Sequence, residues 1–279
     1  MGLRRTSWFK LPPLVSNRPD NAYITPPSLD HLERAMDYPD CGVFVFWGPF
    51  MSGKTEGLSA LDERLRNKGR RVEAYNAASF EPGMRIYSWF LEQLTCIPGC
   101  SSSSIHLNTV LPEALPGNRT GFFCPATTFI IDHFDRVMDA EDLKSVEGFV
   151  VNYAQQSVSG KRFNILLAVS SVSNAELILS WNGRTKIMLA MRPECARWNV
   201  SYFKDLISAL LSHTRTEWSS DKIELLLQFC VKAGSPKFLR GLLYAGPDHF
   251  GEYWKVAEVA DSEWKEGCRA LSKLFVPWF

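Results

Sequence analysis

Eight consecutive residues carry the clearest chemistry in the chain: Gly48, Pro49, Phe50, Met51, Ser52, Gly53, Lys54 and Thr55, a complete G-x-x-x-x-G-K-T. Two glycines at that spacing let the backbone curl until successive N–H groups face one phosphate. A helix opening directly behind them adds unpaired donors and a positive dipole end. Lys54 is then placed to reach the β and γ phosphates of a nucleotide and Thr55 to ligate Mg²⁺. Phe50 and Met51 make this loop unusually apolar.

A magnesium nucleotide also needs a carboxylate at the end of a neighbouring strand. Asp132 closes the run Thr127-Thr128-Phe129-Ile130-Ile131 and fits that role. His133, Phe134 and Asp135 follow. Either His133 or Asp135 could position an attacking water, because each can accept a proton across one hydrogen bond. A third group of polar residues follows the apolar run Asn164 to Val169. If that run lies between the other two strands, Ser170 faces the γ-phosphate or the water, with Ser171 and Asn174 as weaker candidates. The other reading is structural: Ser173 or Asn174 caps a short helix.

These residues need a scaffold, and the periodicity supplies one. Val43 to Trp47 reads as a buried strand ended by Gly48-Pro49, followed by a helix with Leu58, Leu61 and Leu65 on one side. Strands are expected at Arg71–Tyr75, Thr127–Ile131, Asn164–Val169 and Thr185–Ala190. Helices are expected at Leu29–Met36, Met84–Leu94 and Asp142–Gln156. The alternation indicates an α/β core with a mainly parallel sheet. Residues 96–126, rich in Pro, Gly and Ser, read as an insertion. Beyond about residue 198 the pattern is helical only: Tyr202–Leu211, Ser220–Cys230, Pro236–Tyr244 and Ser262–Leu274. The division expected is a lead-in at 1–24, a core at 25–197 and a helical lid with a C-terminal helix at 198–279.

With these elements in place the chain resembles the AAA+ and STAND branch of P-loop NTPases. Gly48 to Thr55 corresponds to Walker A, Ile130-Ile131-Asp132 to Walker B, and the tail after Val169 to the sensor 1 region. The resemblance implies a P-loop NTPase core with sheet order 5-1-4-3-2, followed by a small all-helical lid, with nucleotide between them. It implies a basic sensor 2 residue in Gly234-Ser235-Pro236-Lys237-Phe238-Leu239-Arg240; Arg240 is preferred to Lys237. It further implies self-association, with an arginine reaching a neighbour's γ-phosphate, for which Arg184 and then Arg192 are candidates. The chain departs from the pattern in having His133 where hydrolytic members commonly carry glutamate, and in the inserted 96–126 stretch.

Composition narrows the partners. Lys plus Arg number 31 against 30 Asp plus Glu, a net charge of +1, which excludes a broad electrostatic adhesive for nucleic acid or anionic lipid. The densest basic run, Arg64 to Arg71, sits at a helix end where the dipole favours cations; a phosphate-binding surface there is the less favoured reading. Seven scattered cysteines and no apolar leader point to a reducing compartment, cytoplasmic or nuclear. No apolar stretch spans a bilayer. Gly2 and Thr6 satisfy only a loose myristoylation pattern. The terminal aromatics Phe275, Trp278 and Phe279 dock on the same chain or on a neighbour. The function expected is Mg²⁺-dependent ATP binding with slow hydrolysis coupled to conformational change or assembly. The alternatives are a nucleotide switch without turnover, a small-molecule phosphotransferase using 96–126 as an acceptor lid, and a domain that binds nothing.

Overall fold

The structure, a computed structural model, describes residues 26–37, 42–50, 52–86, 88–90, 127–158, 163–182, 186–211, 219–234, 239, 242–243 and 247–276. Helix α1 (Leu29–Asp37) leads into β1 (Val43–Trp47) and α2 (Lys54–Asn67). After β2 (Arg71–Asn76) come β3 (Thr127–Asp132), α3 (Asp135–Ala140), α4 (Leu143–Val158), β4 (Phe163–Val169), α5 (Val172–Ser180) and β5 (Ile187–Leu189). Three further helices follow: α6 (Val200–Leu211), α7 (Ser220–Ala233) and α8 (Phe250–Leu271).

The five strands form one sheet in the order β2-β3-β4-β1-β5, every pairing parallel. Read from the other edge this is 5-1-4-3-2, the order the resemblance implied. Parallel neighbours require crossovers, and helices on both faces bury the inner strands, while the edge strands β2 and β5 are partly exposed. That is why β1 reads VFVFW without a polar residue: all five positions are buried. The register brings the strand ends level, with Trp47 opposite Val169, Ile131 opposite Leu167, and Asn76 opposite Asp132. Gly48, Asp132 and Ser170 therefore emerge together from the carboxyl edge of the sheet, where ligands of open α/β sheets bind.

Helix α2 lies on the sheet through Leu58, Leu61 and Leu65, each without exposed surface, at the spacing of one helix face. On the β2–β3 side Phe90 forms the hub of an aromatic group, its ring 5.2–5.6 Å from those of Tyr75, Phe129, Phe149 and Tyr153. Asn164 is fully buried and satisfied: Oδ1 accepts from Gly42 N–H (3.1 Å) and Nδ2 donates to the Met36 carbonyl (2.9 Å). It ties the approach to β1 onto β4.

The basic run is occupied within the chain. Arg64 binds Asp30 (2.6 Å) and Glu33 (3.1 Å), and Lys68 also binds Glu33. Arg70 donates to the Met36 carbonyl (2.7 Å) and pairs with Asp37; Arg66 pairs with Asp62 (2.7 Å). Asp30, Glu33 and Asp37 lie along α1, so the positive stretch serves to hold α1 against α2.

The apolar interior separates into two clusters. The larger contains the sheet and its helices. The smaller contains Trp198, Phe203, Ile207, Leu226, Phe229, Leu239, Leu242, Leu243 and Ala257. The C-terminal helix departs from expectation. It begins at Phe250 rather than Ser262 because Phe250, Tyr253, Trp254 and Ala257 continue its apolar face backwards without a break. Ala257 lies in the smaller cluster, whereas Trp264 and Leu271 of the same helix lie in the larger one. The clusters change over between Ala196 and Trp198, and α8 belongs to both.

Candidate functional site

Gly53, with φ 90°, occupies the left-handed region that only glycine enters readily. A side chain there would also meet the Trp198 indole, at 3.1 Å from Nε1. At Gly48 an added Cβ would stand 2.6 Å from Ser52 Oγ, which would have to rotate away. Gly53 caps α2 without a side chain, which leaves the first-turn N–H groups without a side-chain cap and facing the loop. Phe50 projects outward at 63% exposure, so this apolar side chain lies in solvent.

The Lys54 ammonium bends back over the loop, donating to the carbonyls of Gly48 (2.6 Å) and Pro49 (3.0 Å). Burial pushes its pKa down to about 8, against the attraction of Asp132 and then Asp135. Next to it Thr55 Oγ1 donates to Asp132 Oδ2 at 2.7 Å. Asp132 is 1% exposed, and its other oxygen, Oδ1, accepts from the N–H of His133 at 2.8 Å. A hydroxyl and a buried carboxylate in contact beside a lysine are hard oxygen donors of the kind a small divalent cation takes. Thr55 and Asp132 fit such an ion on their own chemistry.

His133 has φ 57°, and it is the one non-glycine residue with positive φ among the described residues. Such a conformation costs about 1–2 kcal/mol and collects at functional sites. Its ring is 42% exposed, with Nε2 3.6 Å from Asp132 Oδ2.

Asp135 is placed differently from the sequence expectation. Both of its oxygens turn to the segment after β4: Oδ2 accepts from Ser170 N–H (2.5 Å), and Oδ1 from Ser171 N–H (3.3 Å) and Asn174 Nδ2 (3.0 Å). A carboxylate holding three donors clamps two loops together and has little capacity left to orient water. Ser171, rather than Ser173 or Asn174, is the N-cap of α5, accepting from Asn174 N–H at 3.2 Å. Ser170 is held from both sides, its N–H by Asp135 and its carbonyl by the Trp47 indole N–H at 3.0 Å. Met51, Arg184, Lys237, Arg240 and the whole of 96–126 lie outside the described residues. Arg192 is exposed, with its guanidinium over the Phe275 ring at 5.6 Å.

Three residues around the site, Trp47, Trp198 and Arg197, carried no local sequence signal for the contacts they make. Trp47 stacks on Trp264 at 5.2 Å, and its ring fills the space above Gly267, where a Cβ would be 2.1 Å away. Trp198 donates from Nε1 to the Ser52 carbonyl (3.2 Å), joining the first residues of the lid to the phosphate loop. Arg197 donates to the carbonyls of Val231 (2.9 Å) and Lys232 (3.0 Å) at the end of α7 and to Asp261 of α8 (2.7 Å). It thereby satisfies helix-end acceptors that would otherwise lack partners. A cleft of about 880 Å³ lies along this hinge, between Arg197, Trp198 and the α7 residues Leu227 and Val231. Among the described residues no helix is long and apolar enough to cross a membrane.

No protein-family model matches the chain, and no curated protein matches it in sequence. Solved structures do match in fold. The Walker-type ATPase PABY2304 of Pyrococcus abyssi aligns with a TM-score of 0.51 and 14% identity, over 92% of this chain and 77% of that one. The ORC1 protein of Aeropyrum pernix, solved in complex with DNA, aligns with a TM-score of 0.51 and 14% identity, over 86% and 67%. At this identity the likeness is one of fold, and the fold is a divergent P-loop core of the AAA+ type.

Proposed function

We propose that the chain binds ATP together with Mg²⁺ in the loop Gly48–Thr55 and uses the bound nucleotide to set the relation between its core and its helical lid. The observation that carries this reading is the contact of Thr55 Oγ1 with Asp132 Oδ2 beside a lysine folded over the glycine loop. Similarity of fold to a Walker-type ATPase supports it. On binding, Lys54 exchanges the carbonyls of Gly48 and Pro49 for phosphate oxygens, and the N–H groups at the start of α2 receive the remaining charge. When bound, Mg²⁺ supplies charge neutralisation and orientation of the β and γ oxygens. Trp198 touches the loop carbonyl at Ser52, so a loop that rearranges around phosphate moves the first residues of the lid.

Turnover on this reading is slow. Asp135 is committed to the Ser170–Asn174 turn, and His133 stands beside Asp132 where hydrolytic members of the resembled family commonly carry glutamate. The arrangement therefore favours a switch over a motor, with Asp135 and Ser170 in positioning roles. Arg240 is retained as the lid residue expected to offset charge on the γ-phosphate. Output through a protein partner or a second copy is favoured over DNA, despite a structural neighbour solved with DNA, because the basic run Arg64 to Arg71 is paired within the chain.

The test is calorimetric titration with ATP and a non-hydrolysable analogue, with and without Mg²⁺, followed by phosphate release from the same samples. Saturable binding that needs Mg²⁺, and loses that need in Asp132→Ala, is the expected result. No binding at millimolar nucleotide would remove the loop from the function.

A further inference from the structure

His133 follows a strand whose last residue, Asp132, supplies the buried carboxylate. Successive side chains of a strand point to opposite faces, so a histidine continuing β3 would turn away from that carboxylate. The left-handed backbone at His133 (φ 57°) breaks the alternation and leaves the ring beside it, with Nε2 3.6 Å from Asp132 Oδ2. The two oxygens of Asp132 are also divided. Oδ1 is taken by the His133 N–H, whereas Oδ2 meets Thr55 Oγ1 at 2.7 Å and faces the imidazole. The Thr55 hydroxyl and the His133 ring nitrogen thereby both lie beside the same carboxylate oxygen. Adjacent ligands of a six-coordinate ion with bonds of about 2.1 Å stand about 3 Å apart, and the two separations bracket that value.

We propose that His133 is a nitrogen ligand of the nucleotide-bound cation, and that the site in consequence takes Mn²⁺ in preference to Mg²⁺. The inference rests on the reading of Thr55 and Asp132 as the cation site and deepens it by naming the class of ion. Mg²⁺ favours oxygen donors in near-ideal octahedra and gives up water reluctantly, so an imidazole adds little for it. Mn²⁺ accepts the same carboxylate and hydroxyl, and a nitrogen ligand gives a first-row transition ion an advantage that Mg²⁺ does not share. A glutamate after the metal aspartate would add another hard oxygen; the histidine changes the donor set instead.

The test uses the full chain with a non-hydrolysable ATP analogue and two readouts, neither of them turnover. Nucleotide affinity is titrated in Mn²⁺ and in Mg²⁺, and pulsed electron paramagnetic resonance of the Mn²⁺ complex detects nitrogen bound to the ion. The native chain is expected to bind nucleotide roughly tenfold more tightly with Mn²⁺, a difference of about 1.4 kcal/mol. It is also expected to show a nitrogen coupling that shifts on ¹⁵N-labelling of histidine. His133→Gly adopts the left-handed backbone freely, so any loss it causes comes from the missing ring. In that variant the coupling should disappear and the two affinities should become equal. Equal affinities in the native chain, or a nitrogen coupling absent from it or unchanged in His133→Gly, would overturn the inference and leave cation-dependent nucleotide binding standing. Failure of nucleotide to bind with either cation would overturn both.

Discussion

The phosphate loop and the seam beneath the C-terminal helix meet at adjoining residues, Gly48 and Trp47, yet they are built on opposite principles. Eight contiguous residues make the loop, and its geometry is local: two glycines, a helix start and a lysine six positions after Gly48. The seam joins residues far apart in sequence. Trp47 lies against Trp264 and Gly267, while its indole N–H holds Ser170. The loop carries a lysine whose charge is opposed by burial; the seam is apolar and leaves no room for a methyl group at Gly267. On the proposed function the first region receives charge and the second resists movement, so a nucleotide in the loop would act against a fixed base.

The comparison breaks most decisively at the loop. Lys54→Ala should cost about 2–5 kcal/mol of nucleotide affinity, at least roughly thirtyfold, as expected for truncating one partner of a buried charge pair. The unliganded variant should unfold at the same denaturant concentration or a higher one, since the charge removed is one that burial opposes. Loss of stability in place of affinity would make Lys54 a structural residue.

At the seam the expected effects are reversed. Gly267→Ala places a Cβ 2.1 Å from the Trp47 ring, backed by Trp264, and should destabilise the fold by about 1–3 kcal/mol in denaturant titration. Nucleotide affinity should stay within a few fold if the two regions are energetically separate. A parallel fall in both would show that α8 sets the loop geometry through Trp47.

Arg197→Ala tests the hinge between them. Removing the guanidinium takes a donor from the Val231 and Lys232 carbonyls and leaves Asp261 with Lys265 as its cationic partner, an expected cost of about 1 kcal/mol, given that the side chain is partly open to water. Hydrogen exchange should rise at the end of α7 and in the middle of α8 and remain unchanged in β1. Protection lost in the sheet as well would mean that the lid and core unfold together.

A further effect is one of pH. Because burial lowers the Lys54 pKa to about 8 from 10.5, the unfolded chain holds a proton between those values that the folded chain has released. Stability of the unliganded protein should therefore rise with pH across that window. Affinity for nucleotide should fall over the same range, by less than tenfold per pH unit, as the ammonium is lost. Calorimetry near pH 8 in buffers of different ionisation enthalpy should register proton uptake on binding, and an absence of uptake would place the lysine outside the phosphate site.

Most of the core was legible because its signals are short-range. The apolar run VFVFW, the glycine spacing behind it and the aspartate after Ile131 lie where the sheet needs them. The order β2-β3-β4-β1-β5 agrees with the family resemblance those motifs carry. Less legible were the roles of residues with several possible partners. Asp135 has the chemistry of a water-orienting base, and only the approach of the β4–α5 turn commits it to Ser170, Ser171 and Asn174. Arg64 to Arg71 could have served phosphate, but the acidic face of α1 takes it up. The start of α8 was read twelve residues late because Gly251 and the charged positions after it mask an apolar face that is evident only where Phe229 meets Phe250 and Tyr253.

By itself the sequence determined the α/β class, the glycine turn from β1 into α2 and the aspartate that ends β3, since backbone curvature, helix initiation and strand burial are properties of neighbouring residues. Tertiary structure alone decided that α8 bridges lid and core, that Trp47 and Arg197 join what the chain separates by more than thirty residues, and that His133 turns back to Asp132. Those outcomes depend on which surfaces meet, and a contact between distant residues leaves no periodicity for a sequence to display.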